Sequence, residues 1–339
     1  MSEIGAAGVR PAWRSRLGAG TEAARGAPNV RRLLQLALAG LWLLDGVLQY
    51  QAFMFSKGFS DMLADSASGN PGVVARPISW DAALVGHHLA ALNAVFAMIQ
   101  LLLGIGIAWR PTVRVALAAS VAWSLGVWWF GEGLGMVLTG DVSPVSGAPG
   151  AVILYALLAV LLWPSDRGSP GSRPAPFVAA RAVGAPVARA LWLVLWLSLA
   201  YFALLPANRA PRALHDMIAG MTDGEPGWLA ALDRGAASLV AHQGLAASVV
   251  LAIALVVVAV GVYLPAPAAR GTLVLAIVMA AVFWVFGQAF GEIMTGGATD
   301  PNSAPLLALL ALAYRPALAV APAPACSGPA RTEEGMAAS

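Results

Sequence analysis

Trp128-Trp129-Phe130-Gly131-Glu132-Gly133-Leu134-Gly135-Met136-Val137-Leu138-Thr139-Gly140 sets a carboxylate among tryptophan, phenylalanine and glycine inside a long apolar run. A related stretch begins 156 residues later, Trp284-Val285-Phe286-Gly287-Gln288-Ala289-Phe290-Gly291-Glu292-Ile293-Met294-Thr295-Gly296. Trp, Phe, two Gly, Thr and the last Gly coincide. The repetition reads as an internal duplication, and the apolar setting reads as membrane.

Composition agrees. Hydrophobic residues make up 59% of the chain and charged residues 11%. Soluble domains carry roughly 25% charged residues. A surface so poor in charge faces lipid rather than water. The net charge of +3 comes from arginines scattered in loops and tails, which gives no nucleic-acid surface. Cys326 stands alone, so neither an internal disulfide nor a cysteine-based metal centre can form.

A helix needs about 20 apolar residues to cross the hydrocarbon core. Eight runs are read as spans: 33–55, 82–108, 115–139, 148–163, 190–206, 237–263, 272–295 and 304–320. The fourth and eighth are short and are expected to start at Pro149 and Pro305. Arginines alternate sides with them: Arg31 and Arg32 before the first, Arg110 and Arg114 between the second and third, Arg181 and Arg189 before the fifth, and Arg270 between the sixth and seventh. By the positive-inside rule both termini are cytoplasmic, in a plasma membrane of bacterial type.

Further matches extend the duplication. Gly69-Asn70-Pro71-Gly72 pairs with Gly224-Glu225-Pro226-Gly227, and Ala148-Pro149 with Ala304-Pro305. The expected fold is all-α, a polytopic membrane protein of eight transmembrane helices in two parallel four-helix repeats. Residues 1–30 are a disordered basic arm, 31–164 the first repeat, 165–189 a cytoplasmic linker, 190–316 the second repeat and 317–339 a disordered tail. Short amphipathic helices are expected around Phe59-Met62-Leu63 and Leu214-Met217-Ile218.

Ionisable residues inside lipid cost about 2.5–3.5 kcal/mol on insertion scales and mark candidate sites. On a continuous helix Glu132, Met136 and Thr139 share one face, as do Gln288, Glu292 and Thr295. With Asp45 and Gln49 they form a polar cluster towards the outer side, either a substrate or proton path or packing glue. Gly131/Gly135 and Gly287/Gly291 add close-approach pairs. His87, His88 and His242 begin equivalent spans. They read as headgroup-boundary residues, as haem, copper or zinc ligands, or as a proton relay, and no metal-binding spacing decides among these.

Asn93–Ser120, "NAVFAMIQLLLGIGIAWRPTVRVALAAS", resembles the second helix, basic turn and third helix of the DoxX-like (DoxX/DoxD) membrane proteins, and Leu38–Phe59 resembles their first helix with its Gly58-Phe59 turn. The resemblance implies a four-helix membrane unit, here in tandem. Some relatives are linked to thiosulfate–quinone redox complexes. Trp-Phe-Gly-Glu and His-His depart from the single unit, and no catalytic residue carries over. Three functions stay open: a non-enzymatic accessory subunit of a membrane redox or envelope complex with membrane-protein partners; a carrier or channel for a small solute, proton or metal ion; and a haem- or quinone-linked oxidoreductase subunit. Haem, quinone and copper are the cofactors these readings name. The lipid bilayer is a partner in all three.

Overall fold

A computed structural model describes residues 29–165 and 175–316; the terminal arm and tail lie outside them, as does part of the linker. Among the described residues all regular structure is helical. The first half runs α1 (Val30–Leu48), α2 (Lys57–Asp65), α3 (Gly72–His87), α4 (Leu89–Ala108), α5 (Val113–Phe130) and α6 (Ala151–Leu161). After α7 (Val178–Val183) the second half runs α8 (Ala185–Ala203), α9 (Ala213–Gly220), α10 (Gly227–Leu239), α11 (Gly244–Gly261), α12 (Ala266–Phe286) and α13 (Ser303–Ala313).

Five helices, α4, α5, α8, α11 and α12, are long and apolar enough to cross a membrane. Helix α1 has comparable length but carries Arg31, Arg32 and Asp45. Helices α6 and α13 have 11 residues each. At 1.5 Å per residue that is roughly 16 Å, about half a hydrocarbon core. Both are buried on nearly every side, and they pack against each other in the centre of the molecule.

Several expected boundaries move. The runs 82–108 and 237–263 are not single helices. His88 (φ −132°, ψ 34°) separates α3 from α4, and residues 240–243 separate α10 from α11. The runs 115–139 and 272–295 stop being helical at Phe130 and Phe286. The short helices start at Ala151 and Ser303, two residues after Pro149 and two before Pro305. Residues 175–189, within the expected linker, contain α7, whose Val178, Ala179, Ala180 and Ala182 are buried. The expected amphipathic segments are α2 and α9, with Phe59, Leu63 and Ile218 turned inward.

Three of the large aromatic side chains in the core have defined hydrogen-bond partners. Trp42 Nε1 donates to Ser120 Oγ (3.0 Å), Trp192 Nε1 to the Val258 carbonyl (2.9 Å), and the Tyr314 hydroxyl to the Ala188 carbonyl (2.5 Å). These groups give large apolar area while leaving no donor stranded. At the arginine-bearing end, Arg32 donates to the carbonyls of Ile107 (2.9 Å) and Ala108, the last residues of α4. A guanidinium there meets the negative end of the helix dipole.

Candidate functional site: two cavities and an acidic vestibule

The Trp-Phe-Gly stretch is not a helical stripe. Gly131 closes α5, and the chain then turns through Gly133, Leu134, Gly135 and Met136, all at positive φ. Ala289, Phe290, Gly291 and Glu292 do the same after α12. Glu132, Met136 and Thr139 therefore do not share a helix face, and neither do Gln288, Glu292 and Thr295. The cause is local: Gly133 and Gly135 have no Cβ to penalise the left-handed region, and the turn then holds Leu134 and Met136 there as well.

The turns bring backbone against backbone. A Cβ on Gly135 would lie 1.8 Å from the Pro149 carbonyl oxygen, and one on Gly291 2.5 Å from the Pro301 carbonyl carbon. Trp128 Nε1 donates to the Pro149 carbonyl (2.8 Å), and Trp284 Nε1 to the Pro301 carbonyl (2.9 Å). Pro149 thus corresponds in contacts to Pro301, four residues from the Pro305 expected by sequence matching.

What the turns position is a cap. Glu132 Oε1 accepts from the backbone N–H groups of Ala151 (3.0 Å) and Val152 (3.1 Å), the first residues of α6. Gln288 Oε1 accepts from Ala304 N (3.1 Å) at the start of α13, and its Nε2 donates to Ser303 Oγ (3.0 Å). A short buried helix exposes orphan N–H groups inside the protein, and these side chains satisfy them. The carboxylate at α6 also faces the positive end of the helix dipole. Thr139 and Thr295 donate to the carbonyls of Met136 (2.8 Å) and Glu292 (2.7 Å), and so hold the turns.

Each half contains a cavity, and each cavity is closed by a loop from the other half. Gln51 Nε2 donates to the Ala298 carbonyl (3.1 Å), drawing the loop before α13 over the first half. Asn208 Nδ2 donates to the Val142 carbonyl (2.8 Å), drawing the loop before α6 over the second. The first cavity, about 260 Å³, is lined by Asp45, Gln49, Asp81, Gln100 and Glu132, and the crossing loop adds Thr299 and Asp300. Trp42, Phe59, Phe96, Trp123 and Phe130 form its walls. The second, about 250 Å³, has apolar walls, and the crossing loop adds Ser143 and Val145.

A wider vestibule, about 600 Å³, adjoins the first cavity along Met62, Gly131, Glu132 and Asp300. Asp65, Asp141 and Glu292 also line it. Together the two spaces are lined by seven carboxyl side chains and by no Lys, Arg or His. Asp300 lies near enough to Asp45 and to Glu132 for their charges to act on one another. Burial lifts the Asp300 carboxyl above the usual range, against the pull of the Asn302 N–H and the Thr299 hydroxyl.

Side chains that line the first cavity carry buried polar atoms without partners. Asp45 Oδ1, Gln49 Oε1, Gln100 Oε1 and Glu132 Oε2 are acceptors of this kind, and Trp123 Nε1 is a donor. Asp45 is 1% exposed, Gln49 4% and Gln100 8%. Such an atom costs about 1–3 kcal/mol. Several around one space mark a site rather than a packing accident.

No protein-family model matches this chain, and no curated protein or solved structure matches it. The geometry alone carries the functional argument.

Of the residues singled out by sequence, the structure brings Asp45, Gln49 and Glu132 to one cavity. Glu292 reaches only the vestibule and is exposed. Gln288 is buried as a cap, and Thr139 and Thr295 serve turns. His87, His88 and His242 are exposed at helix breaks, and among the described residues no group of three His, Cys, Asp or Glu could hold a metal ion. Sequence reasoning missed Gln100, Asp81 and the placement of Asp300. Gln100 carried a usable signal, because it follows buried Asn93 by seven residues, two turns along the same face of α4.

Proposed function

We propose that this is a membrane protein that binds a cation in the first cavity and conducts or carries it, with the vestibule as the entrance. One observation carries the reading: seven carboxyl groups line two adjoining spaces that offer no basic side chain. Low-dielectric walls lined by one sign of charge concentrate the opposite ion. Carboxyl groups in a lipid-facing protein are expensive and are kept for a partner. This favours the carrier or channel reading over a haem-linked one, since the histidines stand exposed outside both spaces.

The proposal extends to topology. Eight crossings, with α6 and α13 completing two of them through the segments before them, would place both termini in the cytoplasm and the vestibule outside. The parallel four-helix repeats over 31–164 and 190–316 are supported by the paired turns, caps and crossed loops. The DoxX-like resemblance belongs to the same proposal, and an accessory role beside a redox or envelope complex rests on that resemblance alone.

Reconstitution tests the function. In proteoliposomes, cationic solutes should drive saturable charge movement or uptake, and Asp45→Asn should reduce it tenfold or more. Indifference to every cation offered, or the same response in Asp45→Asn, would rule the reading out.

A further inference from the structure

We infer that the first cavity takes a small organic cation bearing N–H donors, a primary ammonium or guanidinium head on a short apolar body. The inference rests on the cation reading above and names the chemical class of the ion.

Two features select the class. First, the stranded atoms are mostly acceptors. Asp45, Gln49, Gln100 and Glu132 line the same space, and each carries a buried oxygen with no hydrogen-bond donor on it. A quaternary ammonium has none to give, so each acceptor would stay unmet at about 1–3 kcal/mol. An ammonium head brings three donors and a guanidinium brings five. Second, the walls are aromatic. Phe96 and Trp123 meet at 5.7 Å between ring centroids, and Trp42 closes another side. Aromatic faces attract an organic cation and cover its carbon body. They cannot replace the six to eight oxygens that a hard metal ion such as Ca²⁺ requires. No group of three metal-binding side chains occurs among the described residues. At about 260 Å³ the cavity is below the roughly 300–1,000 Å³ of drug-sized sites, so the body is short.

Free amines and the headgroup of phosphatidylethanolamine share this chemistry. The lipid also carries a phosphate, to which the lining residues offer no basic partner. The inference commits to the N–H-bearing head, and the test separates the two sources.

The full chain is placed in phosphatidylglycerol nanodiscs and titrated calorimetrically with n-butylammonium, n-butylguanidinium, tetramethylammonium and Ca²⁺ at constant ionic strength. The two N–H-bearing probes should bind at least tenfold more tightly than tetramethylammonium and Ca²⁺. Gln100→Leu, which changes no charge, should weaken the N–H-bearing probes about tenfold and leave tetramethylammonium unchanged. Asp45→Asn should remove binding of all probes. Nanodiscs that also contain phosphatidylethanolamine identify the source: unchanged affinity assigns a free amine, and competitive loss assigns the headgroup. Tetramethylammonium or Ca²⁺ binding as tightly as n-butylammonium overturns the inference and leaves the cation reading standing. Binding of none of the four probes overturns both.

Discussion

The two cavities are nearly equal in volume, about 260 and 250 Å³, and each is closed by a loop crossing from the other half. They differ in what the loop brings and in what the walls leave unmet. The loop over the first cavity carries Asp300, and that over the second carries Val145. Around the first, lining side chains carry buried acceptors without partners. Around the second, the polar groups serve one another: Asn208 donates to Val142 and Phe202 carbonyls (2.8 Å each), and Ser248 Oγ donates to the Asn208 carbonyl (2.7 Å). A polar group satisfied internally stabilises the fold, whereas a buried one left open is held for something else. The halves have matching turns, caps and crossing loops, and of these two cavities only the first has unmet buried acceptors on its lining side chains.

The shared scaffold is the easiest part to break. Gly135→Ala sets a Cβ against the Pro149 carbonyl at φ +63°, and Gly291→Ala does the same against Pro301 at φ +70°. Each should cost about 3 kcal/mol or more, combining a positive-φ penalty with a backbone clash. Gly126→Ala in the interior of α5, with nothing within 4 Å, should be tolerated and stabilise by up to about 1 kcal/mol. Thermal unfolding in detergent measures all three. Equal tolerance at Gly126 and Gly135 would break the account of the turns.

The caps come next. Glu132→Ala and Gln288→Ala each strand N–H groups at the start of a buried helix and should destabilise by about 1–2 kcal/mol. Glu132→Gln copies the second half's cap into the first. It should keep most of the stability while weakening cation binding about tenfold, since only the charge is removed. A full loss of stability in Glu132→Gln would make that residue structural alone.

A smaller effect concerns pH and lies outside both cavities. Burial, with Asp233 beside it, pushes the Glu225 carboxyl from its ordinary 4.5 up to about 7. The folded state then holds this proton more tightly than the unfolded chain does. The associated stability is present in full below about pH 4.5 and is lost as pH rises through about 7. Glu225→Gln should flatten that part of the stability profile without altering cation binding. An unchanged profile in Glu225→Gln would remove this group as its source.

The all-helical, lipid-facing character was legible because apolar runs are local signals. Asp45 and Gln49 follow from the same logic, being polar positions four apart on an otherwise apolar helix. The helical-face reading of Glu132 failed where Gly133 and Gly135 release the chain into a left-handed turn, since helical spacing assumes that the helix continues. The break at His88 left no proline or glycine cluster to announce it, so α3 and α4 read as one span. Asp300 was visible as an outer-loop charge, but its placement depends on a loop crossing to the other half, fixed by single hydrogen bonds such as Gln51 to Ala298. Periodicity within one segment carries no information about such a crossing.

The most direct test joins binding to stability in one variant. Asp45 is buried with an unmet oxygen, and Asp300 and Glu132 lie close by. If it is kept for a cation, Asp45→Asn should abolish n-butylammonium binding and, in the absence of ligand, raise stability by about 1 kcal/mol or more, because a buried carboxyl with Tyr155 beside one oxygen and no donor on the other has been replaced by a neutral amide. Ser248→Ala, at the second cavity, should leave binding intact and lower stability. An Asp45→Asn protein that binds the cation as the parent does and unfolds more easily would contradict the central claim and make Asp45 a structural residue.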